Sequence, residues 1–309
     1  MNEAQRMRWI DHPYLGALLV VLAALLALSP DVFGAMHARA FLSQWALFFA
    51  LFGMFALYRK RWSSALAAGL ALSLMFFART TDVLSDPDVN GEVGLRVAQM
   101  NVLKANSRYA DVVGAALATG ADVISIQEVG PGLEPLMRAQ LAIVYPHMRI
   151  LARADNYGIA MLSKVPFLEA RFSELEGVPI VDAVIASPAG PLRIVSVHTT
   201  SPGDLVQFYE RNAQLVALEK LLTSSTTPTV LVGDLNTVPW DSAFGRLCRG
   251  ARLHGNRCGV QATWPSFLGL ALIPLDHVLA TSQLEVLELT RFTIPGSDHR
   301  GLVSTIQYR

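Results

Sequence analysis

The chain has 309 residues, of which 52% are hydrophobic and 16% are charged, and its 25 acidic and 25 basic residues leave no net charge. Roughly a quarter of the residues of an average soluble domain are charged, so this chain is unusually apolar. The charge balance persists after Leu95. It argues against a general nucleic-acid binder, because such proteins carry a strong basic bias.

The excess of apolar residues lies in the first 80 positions, in three uncharged stretches at 13–30, 40–58 and 62–78. Each is about long enough to cross a hydrocarbon core as a helix, which takes ~17–25 residues. A signal peptide would account for the first stretch alone, and buried helices of a soluble protein would show charged faces. We therefore expect residues 1–80 to form a membrane domain of three transmembrane helices, with the lipid bilayer as a partner.

Basic residues determine the expected topology. Arg6 and Arg8 precede the first span, and a basic cluster at 59–61 fills the turn between the second and third spans. Positively charged loops stay in the cytoplasm, so an odd number of spans places the chain after Ala78 on the opposite side. We expect a multi-pass protein of the inner (cytoplasmic) membrane, in which a linker at 81–94 leads to a periplasmic domain.

From Leu95 onward the apolar pattern alternates between strands and helices. Short strands are predicted near 95–102, 123–127, 159–162, 181–186, 193–197, 229–232, 276–280, 286–292 and 302–306. Helical spacing occurs at 109–117 and 205–222. The apolar face of the second helix comprises Leu205, Phe208, Leu215, Leu218 and Leu222. Many strands and few helices favour an α+β layered sandwich over a simple alternating α/β sheet.

Polar side chains repeatedly follow or open these apolar strands. They are Asn101, Glu128, His198, Asp234, Asn236, Asp276, His277, Asp298 and His299. A single member such as Asn101 is more often a turn former than a site residue. Sheets bring strand ends together, however, and clustered carboxylates repel one another unless a cation neutralises them.

The donor chemistry of this set indicates which cation. Oxygen donors such as Glu128, Asp298 and Asn101 suit Mg²⁺, Mn²⁺ or Ca²⁺, whereas the three histidines of the set are an alternative zinc site. A hard metal combined with His and Asp side chains suits hydrolysis at a phosphorus centre. The metal polarises the phosphoryl oxygen and stabilises the leaving oxygen.

The order of these motifs resembles that of a known family. The motifs are the strand ending at Asn101, Gln127-Glu128, Gly233-Asp234-Leu235-Asn236, Leu275-Asp276-His277 and Ser297-Asp298-His299. Each is short, but the five in this order are similar to the series of the endonuclease/exonuclease/phosphatase superfamily, which includes DNase I-like nucleases and neutral sphingomyelinases. The resemblance covers about residues 95–309, the expected catalytic domain. It implies a DNase I-like α/β/β/α sandwich of four layers with two mixed sheets.

The resemblance also implies metal ligands. Asn101, Glu128 and Asp298 would surround a Mg²⁺ or Mn²⁺ ion. Some smaller details resemble bacterial members of the superfamily with N-terminal membrane spans. These details are Arg211-Asn212, Pro239-Trp240 and Thr263-Trp264-Pro265.

Five residues have catalytic roles implied by the resemblance. Asp234 and Asn236 would position or deprotonate the attacking water, and His198 would contact the phosphate. Asp276 would orient His299: if the strands that these two residues open are neighbours, the carboxylate accepts a hydrogen bond and raises the pKa of the imidazole above ~6.5. A protonated imidazole would stabilise charge on the phosphoryl oxygens, and a neutral one would take a proton from water; the sequence leaves both open.

These residues indicate a membrane-anchored, divalent-metal-dependent phosphoester hydrolase of the phosphodiesterase or nuclease type. An alternative with the same chemistry is a phosphatase or phospholipase that acts on phospholipid or inositol phosphate head groups. A membrane-tethered, non-catalytic binding module is the alternative of another class, and the complete ligand set argues against it. The substrate is a phosphoester in nucleic acid or in a lipid head group, and no obligate protein partner is inferred.

Three features have two interpretations each. The basic cluster Arg246, Arg249, Arg252, His254 and Arg257 either grips phosphates or forms a solvated face. The apolar segment 265–274 either faces the membrane near the site or is buried. Cys248 and Cys258 either pair, as nearby thiols in an oxidising compartment often do, or are unrelated. With no CxxC pair, they do not indicate a zinc site.

The topology predicts the outcome of a fusion experiment. Alkaline phosphatase fused after Asp88 should be active. The basic turn at 59–61 should stay in the cytoplasm, so the third span carries the chain that follows it to the periplasmic side. A fluorescent cytoplasmic reporter fused at the same residue is the matched control and should be dark. The reverse pattern would overturn the predicted orientation.

Overall fold

A computed structural model describes residues 13–79, 94–256, 261–266 and 272–309. The internal contacts of the chain define two compact units, one built on the N-terminal helices and one on two β-sheets. Arg6, Arg8, Arg257 and Cys258, nearly all of the linker predicted at 81–94 and the middle of the segment 265–274 lie outside the described residues. The predicted linker and the pairing of Cys258 therefore stay predictions.

In its described residues the N-terminal unit contains four helices: α1 (Pro13–Leu28), α2 (Phe33–Ala40), α3 (Leu42–Tyr58) and α4 (Trp62–Arg79). Among the described helices, α4 alone is by itself long and apolar enough to cross a membrane. α1 and α2 meet the same test together, with a bend of 105° between them, and α3 is a shorter apolar helix of 17 residues. The short helix α2 lies in the predicted first loop. By length and composition the described helices include one candidate for crossing a membrane, or two if the bent pair is one span, and the predicted three are not established.

Small residues let these helices pack closely. A Cβ atom at Gly16 of α1 would lie 3.3 Å from Ala67, and one at Gly53 of α3 would lie 3.3 Å from Ala68. Both alanines belong to α4, which is therefore the helix on which α1 and α3 pack. The exposed side chains of α4 include Phe77, which is 70% exposed. Close packing through small residues and outward apolar side chains is typical of helices in lipid.

The second unit contains all the strands of the described chain. They are β1 (Leu95–Asn101), β2 (Val123–Gln127), β3 (His147–Leu151), β4 (Ile159–Ser163), β5 (Phe167–Leu175), β6 (Val178–Ser187), β7 (Gly190–His198), β8 (Thr229–Asp234), β9 (Leu253–His254), β10 (Asp276–Thr281), β11 (Leu284–Thr293) and β12 (Arg300–Tyr308). The helices between them are α5 (Tyr109–Ala118), α6 (Glu134–Leu141), α7 (Leu205–Thr223) and α8 (Ser242–Gly250).

The strands form two six-stranded mixed sheets. The order in the first sheet is β11-β12-β1-β2-β4-β3, and in the second it is β5-β6-β7-β8-β10-β9. Each sheet has one parallel pair, β1 with β2 and β7 with β8, and its other pairs are antiparallel. A helix, α5 or α7, connects the strands of each parallel pair, because a parallel connection must cross back over the sheet.

Three apolar clusters build the layers of this unit. The inner cluster lies between the sheets and includes Val97 and Val278. One outer cluster packs α5 and α6 against the first sheet, and the other packs α7 and α8 against the second. Side chains alternate between faces along a strand, so consecutive residues such as Val97 and Ala98 enter different clusters. The predicted α+β sandwich is confirmed, with its helices on the two outer faces.

Elements that the sequence pattern missed are the polar or short ones. They are α2, α6, α8, β3, β5 and β9. Strand β5 is an edge strand whose side chains are largely exposed, so it lacks the apolar run that marks the inner strands. In α7 the predicted apolar position Leu205 is 52% exposed, whereas Arg211 and Gln214 are buried. The buried face of α7 therefore includes two polar residues.

A buried ion pair joins three strands at the β5 side of the second sheet. Asp182 on β6 accepts hydrogen bonds from Arg193 Nε at 2.8 Å and Nη2 at 3.0 Å, and from Arg171 Nη2 at 2.8 Å. The side chains of Asp182 and Arg193 are 4% and 5% exposed, and that of Arg171 is 64% exposed. Burial by itself would raise the pKa of Asp182, but the hydrogen bonds and charges of Arg193 and Arg171 lower it below its ordinary value.

Asp182→Asn should lower the free energy of unfolding at pH 7 by about 3 kcal/mol, because it leaves the buried Arg193 without a carboxylate. A depressed pKa contributes stability above the unfolded value, and this contribution is lost as pH falls through the folded value. Wild type and variant should therefore converge below about pH 4.

Urea unfolding in detergent, followed by circular dichroism at several pH values, measures this difference. Arg171→Gln is the control, because it removes only the exposed partner and should change stability by less than about 1 kcal/mol. A stability difference for Asp182→Asn that stays constant down to acid pH would contradict the assigned cause.

Candidate active site

The predicted site residues meet at one end of the sandwich. The carboxyl ends of parallel strands lie at the same edge of a sheet. The pair β1–β2 therefore brings Asn101 and Glu128 together, and the pair β7–β8 places His198 beside Asp234. Strand β10 runs antiparallel to β8 in a register that puts Asp276 opposite Asp234. Pairing within each sheet thus collects most of the site at one edge.

Asp234 is the centre of the cluster. It is 1% exposed, and its Oδ2 atom accepts a hydrogen bond from Asn101 Nδ2 at 3.1 Å. The Nε2 atoms of His198 and His299 each lie 3.7 Å from the same oxygen. Burial raises the pKa of Asp234 and the charge of Asp276 raises it further, while the two histidines act in the opposite direction. The net effect is a carboxylate with more affinity for a proton than usual.

A hydrogen bond joins the two residues predicted to act as a pair. His299 Nδ1 donates to Asp276 Oδ2 at 2.8 Å, and both side chains are buried. The strands they open are not neighbours, because β12 lies in the first sheet and β10 in the second. The premise of strand adjacency was wrong, and the bond instead crosses between the sheets. Burial alone would lower the pKa of His299, but the charges of Asp276 and Asp234 raise it to about 10.

Asn101 and Glu128 are in direct contact. Asn101 Nδ2 donates to Glu128 Oε1 at 3.0 Å, and the backbone N–H of Lys104 donates to Oε2 at 2.7 Å. Glu128 has a φ of 61°, a left-handed conformation that such residues rarely adopt. His198 Nε2 lies 3.9 Å from Glu128 Oε1. The turn of the backbone after β2 thus places this carboxylate in the cluster, and such strain is typical of functional sites.

A glycine is required immediately before Asp234. Gly233 has a φ of 142°, and a Cβ atom there would lie 2.0 Å from the carbonyl oxygen of Val197. Two residues later, Asn236 adopts a φ of 45°, and its Nδ2 atom donates to the carbonyl of Thr199 at 2.9 Å. The Gly-Asp-Leu-Asn motif therefore combines a close strand approach with a tight turn that ties Asn236 to the loop after β7.

Asp298 is held by a residue that the sequence did not assign to the site. Trp264 Nε1 donates to Asp298 Oδ2 at 2.9 Å. The other oxygen, Oδ1, is buried and has no hydrogen-bond partner among the residues that the structure describes. A buried carboxylate oxygen without a donor suits a cation, so Asp298 fits its predicted role as a metal ligand.

A second possible metal group consists of Asp234, Asp276 and His299, whose ligand atoms lie within 4.8 Å of one another. In this group the Asp276–His299 contact is already a hydrogen bond. The raised pKa makes His299 a cation at neutral pH in the metal-free protein, and a cation repels a metal ion. The oxygen set of Asn101, Glu128 and Asp298 therefore fits a hard divalent metal better.

The alternative zinc site built on three histidines is not formed. His277 follows Asp276 on β10 and so faces the opposite side of the sheet. There its Nε2 atom is 2.8 Å from the carbonyl oxygen of Thr237, and its ring contacts Phe244. Burial lowers the pKa of His277 to about 4, despite the opposing effects of Thr237 and Asp234. In the structure His277 is therefore a neutral imidazole that packs in the interior.

His198 is supported by residues outside the predicted catalytic set. Its Nδ1 atom lies 3.0 Å from the backbone carbonyl of Asn156, and the ring of Tyr157 lies 6.0 Å from its own ring. The Tyr157 hydroxyl is 3.0 Å from Thr200 Oγ1, which accepts a hydrogen bond from Gln214 Nε2 at 2.8 Å. In the sequence, the signal for this support is the presence of two polar residues, Arg211 and Gln214, among the apolar positions of α7.

Helix α8 carries other residues that the sequence singled out. Arg246 and Arg249 are on α8, and their role as phosphate ligands stays a prediction. Cys248, on the same helix, is buried, and burial raises the pKa of its thiol to about 12. Such a thiol is inert at neutral pH.

Comparisons with known proteins agree with this geometry. Residues 98–299 match the model of the "Endonuclease/Exonuclease/phosphatase family". The chain belongs to this family, and it is a hydrolase of phosphoester bonds. Family members use divalent metals, in keeping with the carboxylate cluster. No curated protein sequence matches the chain.

Similar solved structures share the fold at low identity. TDP2 of D. rerio complexed with a single strand DNA product has a TM-score of 0.59 and 19% identity, over 70% of this chain and 99% of that one. An endonuclease/exonuclease/phosphatase of Beutenbergia cavernae has a TM-score of 0.56 and 18% identity, over 70% and 72%. Sphingomyelinase C of Streptomyces griseocarneus has a TM-score of 0.54 and 13% identity, over 69% and 99%.

His277 and His299, both buried, should have pKa values shifted in opposite directions in the metal-free protein. His299 should stay protonated until the pH approaches 10, because Asp276 and Asp234 outweigh burial, and His277 should stay neutral down to about pH 4, because burial dominates. Asp276→Asn should lower the pKa of His299 and leave that of His277 in place. ¹⁵N NMR of histidine-labelled protein in EDTA measures both, and a neutral His299 at pH 7 would contradict this assignment.

Proposed function

We propose that the protein is a membrane-anchored phosphodiester hydrolase that depends on Mg²⁺ or Mn²⁺. The observation that carries the proposal is the position of Asp234 Oδ2, 3.7 Å from both His198 Nε2 and His299 Nε2. One carboxylate oxygen between two imidazoles, next to a hydrogen-bonded His–Asp pair, provides a proton acceptor and proton donors at one point.

The roles of the chain's own residues follow from their charges. His299 is a cation at neutral pH, so it stabilises negative charge that develops on the phosphoryl oxygens. A protonated imidazole has no free lone pair and therefore cannot act as a base. Asp234, whose pKa is raised, is the better acceptor for the proton of the attacking water. Asn236 orients that water. The Nδ1–H of His198 is used by the carbonyl of Asn156, so His198 donates a hydrogen bond from Nε2 to the phosphate in its protonated form.

The metal would be held by Asn101, Glu128 and Asp298. A bound Mg²⁺ or Mn²⁺ ion polarises the phosphoryl oxygen and stabilises the leaving oxygen. Glu128 and Asp298 supply the negative charge that a hard cation prefers, and the unpartnered Oδ1 atom of Asp298 supports this choice.

The charge of the site favours a diester over a monoester. Four carboxylates, Glu128, Asp234, Asp276 and Asp298, lie in or next to the cluster. A phosphate monoester is close to a dianion at neutral pH, whereas a diester carries one negative charge. The diester is therefore repelled less. The similar structures include one with a single strand DNA product and one of a sphingomyelinase, so nucleic-acid and lipid diesters are both candidate substrates.

Membrane anchoring by three N-terminal helices is part of the proposal. It is supported by the apolar helix α4 and by the bent pair α1–α2, and the basic turn at 59–61 favours a periplasmic catalytic unit in the inner membrane. This location favours a phospholipid or inositol phosphate head group as the alternative substrate. No obligate protein partner is proposed.

A substrate panel with the full chain in detergent tests the function. The panel comprises bis(4-nitrophenyl) phosphate, 4-nitrophenyl phosphate, single-stranded DNA, RNA, sphingomyelin and phosphoinositides, each with Mg²⁺, Mn²⁺ or EDTA. We expect hydrolysis of diesters with either metal and none in EDTA. Absence of hydrolysis on every substrate would contradict the proposed function, and activity that persists in EDTA would exclude the hard-metal mechanism.

Two substitutions should separate chemistry from metal binding. His299→Ala should lower kcat by about 10²-fold or more, because it removes the charge next to the phosphoryl oxygens. Glu128→Gln should raise the Mg²⁺ concentration required for half-maximal activity, because a neutral amide is a weaker ligand for a hard cation. Metal titrations of both variants measure the two effects. An unchanged metal requirement in Glu128→Gln would remove Glu128 from the metal site.

A further inference from the structure

A polar layer lies between the sheets, directly beneath the site. On the inner face of β1 the side chains are Val97, then Gln99, then Asn101 at the site. On the inner face of β7 they are Ile194, then Ser196, then His198 at the site. The inner face of β2 likewise runs from Val123 to Ser125 and Gln127. The valines and the isoleucine belong to the apolar core between the sheets. On these three strands the amide and hydroxyl groups thus lie at the level nearest the site.

These groups form a continuous hydrogen-bonded chain that ends at the site. Gln99 Nε2 donates to Asp276 Oδ1 and also to Gln127 Oε1, the latter at 3.0 Å. Gln127 Nε2 donates to Ser125 Oγ at 2.6 Å, which is 2.6 Å from Ser196 Oγ on the other sheet. Gln99, Ser125, Gln127 and Ser196 are all fully buried.

The orientation of the Gln99 amide is determined by Asp276. An ionised carboxylate only accepts hydrogen bonds, so it requires the NH₂ group and excludes the amide oxygen. Both Gln99 hydrogens are used, and its Oε1 atom has no hydrogen-bond partner among the residues that the structure describes. An unpaired buried carbonyl is unfavourable, so the arrangement depends on the bond to the charged Asp276.

We propose that Gln99 is a positioning residue of the hydrolytic site, which holds the Asp276 carboxylate in the rotation that turns Oδ2 toward His299. Gln99 and His299 are the side chains that donate to this carboxylate, one to each oxygen. Both come from the first sheet, whereas Asp276 comes from the second. The inference rests on the proposed function and adds a residue that touches neither substrate nor metal.

Gln99→Met keeps the length of the side chain but removes both donors. With bis(4-nitrophenyl) phosphate and saturating Mg²⁺, we expect kcat to fall about tenfold, the scale of a displaced catalytic group, while KM stays within about twofold. In the Asp276→Asn background the same substitution should change kcat by less than about twofold, because residues that act as one unit are not additive.

Ser196→Ala is the matched control, because it removes a buried hydroxyl from the same polar layer. Ser196 lies at the end of the hydrogen-bonded chain opposite Asp276, so this variant should keep kcat within about twofold of the wild-type value. If Gln99→Met folds in low yield, Gln99→Asn serves instead, because its amide is one methylene too short to reach Asp276. An equal loss of kcat in the wild-type and Asp276→Asn backgrounds would overturn the inference, and so would an equal loss in Ser196→Ala.

The outcomes also separate this inference from the proposed function. If His299→Ala abolishes hydrolysis while Gln99→Met retains wild-type kcat, the positioning role is wrong and the proposed function stands. If the wild-type protein hydrolyses no diester with either metal, the proposed function fails and the positioning role fails with it.

Discussion

A carboxylate buried between two sheets must be matched by polar groups from both of them, and Asp234 imposes this condition here. Its Oδ2 atom accepts a hydrogen bond from Asn101 of the first sheet, while His198 approaches from the second and His299 from the first. Burial of an unmatched charge is strongly unfavourable. The relative register of the two sheets is therefore tied to the site, and the apolar inner cluster can close only in an arrangement that also satisfies Asp234.

The same condition explains the graded interior of the sandwich. Valines such as Val97 fill the level farthest from the site, the amide of Gln99 occupies the next level, and charged groups occupy the last. The amide level provides a hydrogen-bond donor that the charged level needs, because Gln99 donates to Asp276. Electrostatic matching then sets the chemistry: Asp276 keeps His299 charged, while Asp276 and burial keep the proton affinity of Asp234 high. The result is a charged donor, His299, whose Nε2 atom lies 3.7 Å from Oδ2 of a basic acceptor, Asp234.

Much of the fold was predictable, because most inner strands are continuous apolar runs that end in polar residues. Strand β2 and helix α5 were predicted almost to the residue, and the polar residues at the ends of the strands were recognised as the location of the site. The edge strand β5 was missed because both of its faces are largely exposed, so no apolar period marks it. In α7 the predicted Leu205 is exposed, and the polar Arg211 and Gln214 are buried, because hydrogen bonds rather than hydrophobicity hold them.

The sequence by itself determined which residue types end the strands, the family of the catalytic unit and the apolar character of the N-terminal helices. A period of two also determines which face of a strand a residue occupies. It does not determine which sheet the strand joins, because that depends on crossovers and on contacts distant in sequence. The tertiary structure alone therefore decided that Asp276 and His299 meet across the two sheets, that Trp264 holds Asp298, and that Gln99 lies against the Asp276 carboxylate.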